Sequence, residues 1–298
     1  MVRKKKAIRP TVGDTIFLAL DTVLLVLLLV IIAYPLLFVI SASFSQGATT
    51  MSLSLIPKRL SLAGYEAVFQ DEDIWTGYAN SIFYALVGTA LSLVLTVMMA
   101  YPLSRADFKG RGLIMTLCLI TMYFSGGLIP TYLTVRNLGL LNTRWAVILP
   151  GALSVYNMIV TRTYFKNSIP GELLESASLD GCGNIRYLIS ILLPLSGPIL
   201  AVMGLFYAVG YWNAYFDAMI YVAGHREMYP LALVLREILV LNSANMEQMD
   251  VNTLMALQER REVMKYAVIV VASLPVMLIY PFVQKFFVKG IMIGAVKG

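Results

Sequence analysis

At 298 residues, 59% of them hydrophobic and 13% charged, and with a mean hydropathy of +0.77, the chain is far too apolar for a water-soluble domain, since such domains carry about a quarter charged residues. Its net charge of +6 reads as a membrane-topology signal, so nucleic acid need not be invoked. One histidine, two cysteines and no Gly-x4-Gly-Lys-Ser/Thr run argue against a multi-histidine metal site, a Ser-His-Asp arrangement and a nucleotide-binding loop within this chain.

Residues 1–16 form a basic tail carrying Arg3, Lys4, Lys5, Lys6 and Arg9. Six apolar windows follow, near 17–40, 78–103, 113–134, 145–165, 195–222 and 264–288. Each reaches the roughly 20 residues needed to cross a hydrocarbon core of about 30 Å. The first is too long for a cleaved signal peptide and lacks a small-x-small closing pattern, so it is expected to stay as an anchor. Arg105, Lys109 and Arg111 follow the second window, Arg162, Lys166 and Arg186 border the fourth-to-fifth loop, and Lys285, Lys289 and Lys297 close the chain. This distribution predicts both termini and the 104–112 and 166–190 loops in the cytoplasm. The opposite loops, 41–77 and 223–263, are longer and acid-rich. The expectation is an all-α, polytopic membrane protein with six transmembrane helices and one transmembrane domain over 17–298. Cys118 inside the third span and Cys182 in a loop are not expected to pair. Pro35, Gly126, Gly127, Pro130, Pro150, Gly151, Pro194, Gly197, Pro198 and Pro275 predict kinks, because each weakens or interrupts the backbone ladder.

The 166–190 loop has its own pattern. Ser168 as possible N-cap, Pro170 in the first turn and Gly181 as C-terminal stop predict a short helix over 171–180. Leu173, Leu174 and Ala177 form one apolar stripe, with Glu172, Glu175 and Ser176 toward water. The small residues at 176–178 leave a shallow surface that another protein can approach, and Gly181 with Gly183 permits a sharp change of direction. Arg186 and Tyr187 begin a second helix that enters the membrane at Leu192-Leu193-Pro194. The competing reading is an amphipathic helix lying on the lipid surface.

The spacing Glu175-x-Ala177-x3-Gly181-x9-Ile191-x-Leu193-Pro194 resembles the loop that marks membrane subunits of binding-protein-dependent ABC importers, with Ser176 where that family has Ala. Asn80-Ser81, Ala100-Tyr101, Leu103-Ser104-Arg105 and the terminal Gly294-Ala-Val-Lys-Gly298 are similar to the carbohydrate-importing branch that includes the maltose permease. Phe124-Ser-Gly-Gly-Leu-Ile-Pro130, Leu138-Gly-Leu-Leu-Asn142 and Ile148-Leu-Pro-Gly-Ala152 resemble a sub-branch associated with large or complex saccharides, alginate fragments among them.

That resemblance implies a type I ABC importer permease fold in a bacterial inner membrane. The 171–180 segment would be the coupling helix, presenting Glu175, Ser176, Ala177, Asp180 and Gly181 to an ATPase subunit, with Ile191, Leu193 and Pro194 completing the motif. The implied partners are a second permease, two ATPase subunits that bind ATP and magnesium, an extracytoplasmic solute-binding protein, an oligosaccharide and membrane lipid; the chain itself would carry no cofactor and no catalytic residue. Tyr156, Asn157, Tyr211, Asn213 and Asp217 are candidate path-lining residues, since aromatic faces stack on sugar rings and amides bond hydroxyls; the competing reading is an interfacial aromatic belt. Tyr229, Arg236, Asn242 and Asn245 are candidates for docking the binding protein, against a reading of that loop as a solvated connection with a short surface helix. An ion-coupled secondary transporter, or an importer permease for a solute other than sugar, remains the alternative.

Overall fold

The computed structural model describes residues 11–45, 56, 60–239, 264–279, 281 and 284. Nearly all of them are helical, and the only extended pairing among them is an isolated antiparallel bridge, Ser45 to Leu60. The chain divides into two compact units, Met1–Val68 with Met249–Val271, and Phe69–Gln248 with Ala272–Gly298.

The first unit is dominated by α1 (Val12–Ser43). Thr11 and Asp14 cap it reciprocally: the Asp14 N–H donates to Thr11 Oγ1 at 3.2 Å and the Thr11 N–H to Asp14 Oδ2 at 2.8 Å, satisfying donors that a helix start leaves open. Of its residues only Ala42 and Ser43 are buried, so its leucines, isoleucines and valines face outward along its length, as suits a helix whose surroundings are apolar. At its end Ser43 Oγ bonds Tyr65 Oη at 2.7 Å and the Phe44 ring lies 5.1 Å from that of Tyr65, which ties in α2 (Ala63–Phe69).

The second unit is organised by α3 (Glu72–Ser104), one continuous helix capped by Asp71. It is followed by α4 (Arg111–Tyr123), α5 (Leu128–Asn137), α6 (Arg144–Ile148), α7 (Val155–Ser168), α8 (Gly171–Leu179) and α9 (Asn184–Tyr187). A π-helical turn, Leu188–Leu192, leads to α10 (Leu193–Leu195), α11 (Gly197–Asn213) and α12 (Phe216–Tyr221), and a 3-10 turn at Arg226–Met228 precedes α13 (Leu231–Leu239). An apolar helix α14 spans Met264–Ile279 and is divided between the units, its residues through Val271 belonging to the first. α3 packs along α11 and α7, with α13 against its N-terminal part. The α3–α11 seam uses small residues: a Cβ on Gly88 would meet ring carbons of Tyr211 at 2.6 Å, so only glycine admits that ring, and close backbone approach is how helices associate without a strong hydrophobic drive.

The six expected spans fare differently. Among the described residues two helices, α1 and α3, are long and apolar enough to cross a membrane; the pairs α4–α5 and α9/α10–α11, bent by 115° and 83°, raise the number to four if each is one broken span. The 113–134 window is therefore bent sharply at Phe124 to Gly127, where Gly127 takes φ +86, a conformation that costs glycine nothing. The 145–165 window is a correction: α6 and α7 are separate helices, interrupted around Pro150 and Gly151, and a proline lacks the N–H that would continue the ladder. In the 264–288 window the described helix ends at Ile279, and much of the remainder lies outside the described residues.

Candidate functional site

The segment from 169 to 195 is built residue by residue from its turn chemistry. Ile169 and Pro170 are both extended, and α8 starts with Pro170 as its N-cap. Ser168 closes α7 rather than capping α8, a correction to the sequence reading that follows from the restriction proline imposes on the residue before it. At the other end Gly181 has φ +73, the Cys182 N–H donates to Ala177 O at 2.8 Å and the Gly181 N–H to Ser178 O at 3.1 Å. These two bonds and the left-handed residue complete the usual glycine C-terminal stop. No atom lies within 4 Å of where a Gly181 Cβ would stand, so backbone conformation, not space, requires glycine there. Gly183, in contrast, has φ −71 and ψ 159, which any residue adopts; the change of direction rests on Gly181 alone.

Ala177 is buried and Leu174 half-buried, both against a core that includes Phe165, Tyr187 and Leu192. Leu173 is 39% exposed, so the apolar stripe narrows to Leu174 and Ala177, because each helical residue turns the side chain by about 100°. The outward face carries Glu172, Leu173, Glu175, Ser176, Leu179 and Asp180, with Leu179 at 90% exposure. Ile191 and Leu193 pack half-buried on the same core while Pro194 is exposed, so these two apolar motif residues form the root of the loop. Pro194 has no N–H for the helical ladder, and the preceding turn widens so that the Leu193 N–H reaches Leu188 O, five residues back. Ser196 Oγ donates to Leu192 O at 2.7 Å at the 83° bend. Both cysteines are free, and both pack against this core.

An arginine fork binds the loop to the end of α3. Arg105 donates through Nε and Nη2 to the two Asp107 oxygens at 2.8 and 2.6 Å, and through Nη1 to Asn184 Oδ1 at 2.8 Å and Tyr101 Oη at 3.0 Å. Its guanidinium also lies over the Tyr101 ring, which stacks on Tyr187 at 6.4 Å. Hydrogen bonding from Arg105 holds the Asp107 carboxyl below its usual range, and Asp107 in turn holds Arg105 further toward its charged form. Arg162 Nε donates to Leu103 O at 2.8 Å and fixes α7 to the same end. The sequence pattern marked Arg105 as a topology charge and part of a family signature, and Tyr187 as the start of a helix; nothing in it paired Arg105 with Asn184 or Tyr101 with Tyr187, which lie far away in sequence.

The candidate path residues separate into two groups. Tyr211 and Asn157 are buried, whereas Tyr156 is 59% exposed, Asn213 is exposed and Asp217 is half-buried. The Tyr211 hydroxyl bonds Ser92 Oγ at 3.1 Å and Ile148 O at 3.1 Å. One turn earlier, Tyr207 Oη bonds Thr96 Oγ1 at 2.7 Å and accepts from the Ser154 N–H at 3.2 Å. In this conformation Tyr211 is thus a fastening between α3, α11 and the α6–α7 break. Asn213 Nδ2 is turned back onto Val209 O at 3.0 Å.

Near the N-terminal part of α3, Asn80 Nδ2 donates to Glu227 O at 2.8 Å and Tyr229 O at 3.0 Å, Tyr84 Oη to Met228 O at 2.8 Å, and the Leu231 N–H to Ser81 Oγ at 2.8 Å. Arg144 Nη2 donates to Asn80 Oδ1 at 3.0 Å. Of the docking candidates, Tyr229 is buried, its hydroxyl accepting from the Gly224 N–H at 3.0 Å, and Arg236 lies over the Tyr215 ring; Asn242 and Asn245 lie outside the described residues. Arg226 bridges Asp73 at 2.9 Å and Glu237 at 3.2 Å. Among the described residues no three His, Cys, Asp or Glu side chains gather where they could hold a metal.

No protein-family model matches the chain. It is 43% identical over 266 residues to Protein LplC of Bacillus subtilis, covering 89% of each chain. It is 41% identical over 279 residues to the polygalacturonan/rhamnogalacturonan transport system permease protein YtcP of the same organism, covering 92% of this chain and 96% of that one. To the arabinooligosaccharides transport system permease protein AraQ of Halalkalibacterium halodurans it is 30% identical over 275 residues, covering 90% and 92%. Among solved structures it is similar, with a TM-score of 0.83 and 33% identity over 94% of this chain and 100% of the other, to a chain of a bacterial ABC transporter involved in import of the acidic polysaccharide alginate.

Proposed function

We propose how this chain, which belongs to the permease subunits of carbohydrate ABC transporters and forms part of the membrane pore of an oligosaccharide importer, couples to its motor and what it carries. It is one half of a heterodimeric pore in the bacterial inner membrane, with six spans, some of them broken, and both termini cytoplasmic. α8 is the coupling helix, seated in a cleft of a cytoplasmic ATPase subunit. Two such subunits bind ATP and magnesium and supply the hydrolysis; this chain is a transport subunit without an ATPase site. An extracytoplasmic binding protein delivers the sugar.

The observation that carries the coupling assignment is the form of α8: a short helix stopped by Gly181, rooted through Leu174 and Ala177, and open on the face bearing Glu175, Ser176 and Leu179. A helix held this way is carried along with the core beneath it, to within the small sliding that apolar packing permits. Closure of the ATPases then becomes a change of access at the other face of the membrane, a coupling between two sites through one two-state element. A lipid-surface helix would be expected to turn an apolar face outward, whereas the outward face of α8 is mixed and carries carboxylates.

The cargo is an oligosaccharide containing acidic residues. Polygalacturonan, rhamnogalacturonan and alginate, named for the relative and the structural neighbour, all contain uronate residues. The test is the complete complex in liposomes, with second permease, ATPase and binding protein. Oligogalacturonates or oligoalginates should raise hydrolysis several-fold over neutral oligosaccharides, and a cysteine replacing Ser176 should cross-link to the ATPase. Equal stimulation by neutral sugars overturns the cargo, and cross-links to lipid alone overturn the coupling assignment.

A further inference from the structure

Two hydrogen-bonded grips stand at opposite parts of one helix. Toward its N-terminus α3 holds three successive carbonyls, of Glu227, Met228 and Tyr229, through Asn80 and Tyr84, and Ser81 accepts the N–H of Leu231, the first residue of α13. The contact is close as well as polar: a Cβ on Gly77 would lie 3.1 Å from Leu231 Cα. At its C-terminus Arg105 and Tyr101 hold Asn184 and Tyr187, the first and last residues of α9, which follows α8 after a four-residue turn. Roughly 38 Å of helix lie between Asn80 and Arg105 at a rise of about 1.5 Å per residue.

The grips bind main chain at one end and an amide side chain with its carbonyl at the other, so displacement of α3 along its axis displaces both attached segments. The neighbouring route is poorer. α11 leaves the same loop through an 83° bend, where force along α10 is spent on changing an angle. α3 stays helical from Glu72 to Ser104, losing one rung of its ladder at Pro102, and the Tyr207 and Tyr211 bonds to Thr96 and Ser92 brace it along the way.

We infer that α3 is the tie between the loop that α8 presents to the ATPase and the 226–239 segment, read as the side that meets the binding protein because it carries the docking candidates Tyr229 and Arg236, with Asn80, Ser81 and Tyr84 as positioning residues at one end and Arg105 at the other. This rests on the coupling reading of α8 given above. It makes a reciprocal statement, since what ATP does to the binding protein's affinity through α3, the binding protein must do to ATP's affinity.

The test uses the whole complex in liposomes and the binding protein as ligand, with and without a non-hydrolysable ATP analogue. Tyr84→Phe removes only the hydroxyl that meets Met228 O, and Arg105→Lys keeps the charge but loses the planar fork. Each should cut the nucleotide-dependent change in binding-protein affinity by at least three-fold, with nucleotide-free affinity and basal hydrolysis unchanged. The double variant should be no worse than the worse single one, because two breaks in one tie act as one. Singles at the wild-type value, or a double variant equal to the product of the singles, overturn the inference. Where Tyr84→Phe does not assemble, Ser81→Ala takes its place. A wild-type complex that binds no ATPase sinks the coupling reading itself and the tie with it; one that binds ATPase and hydrolyses ATP but shows no nucleotide effect on binding-protein affinity overturns the tie alone.

Discussion

The two gripped ends of α3 are held by different physics. At the Arg105 end the attached loop sits on an apolar core, Leu174, Ala177, Tyr187 and Leu192 among its members, with a charged fork laid over the edge. At the Asn80 end the attached segment is held by side chains that bond its backbone directly. Apolar packing tolerates small sliding, because it is non-directional; buried hydrogen bonds to main chain fix register, because an unmade bond leaves a desolvated carbonyl. The comparison assigns the yielding joint to the end of α3 near α8 and the fixed joint to the end near α13.

Breaking the fixed joint should cost most. Asn80→Ala removes the donor to two carbonyls and the acceptor for Arg144, and should lower stability by about 3 kcal/mol, read as a fall in the thermal midpoint of the purified complex. At the yielding joint, Ala177→Leu must fit extra carbons into a buried position and should cost about 2 kcal/mol by the same measurement. Gly181→Ala places a side chain at φ +73 and should cost about 1 kcal/mol, while Gly183→Ala, at φ −71, should stay within about 0.5 kcal/mol of wild type; equal effects would refute the assignment of the turn to Gly181.

The charged fork gives a smaller, pH-dependent effect. Asp107 has its carboxyl held low by Arg105, so its contribution is complete above the ordinary carboxylate value of about 4 and is lost as pH falls through the lowered one. The midpoint difference between wild type and Asp107→Asn should be flat at neutral pH and close below that range. The smallest change in stability belongs to Glu175→Ala on the open face of α8, within about 0.5 kcal/mol, yet it should reduce sugar-stimulated hydrolysis several-fold in the assembled complex. Unchanged stimulation would move the ATPase contact elsewhere on α8.

Much of this was legible beforehand because it is local. Apolar windows announce membrane helices through length alone, and Gly181 announces the stop of α8 through a conformation that other residues resist. The C-terminal edge of α8 was readable for that reason, while its N-cap was misplaced by two residues, since Ser168 is an acceptable cap in isolation and only the extended Ile169-Pro170 pair shows where the helix begins. Leu173 was assigned to the buried stripe because periodicity resolves a face only to within a residue or so; the core beneath decided between Leu173 and Leu174.

Sequence by itself determined that the protein lives in a membrane, that helices carry it, and that one loop between apolar segments holds a short helix stopped by Gly181. Tertiary structure alone decided that Tyr211 fastens helices in this conformation, that Asn80 and Arg105 are grips, and that one continuous helix connects them. The reason is sequence distance: Asn80 meets Tyr229, and Arg105 meets Asn184, across stretches of chain whose folding brings them together, and a hydrogen bond between distant residues leaves no periodicity for a sequence to display.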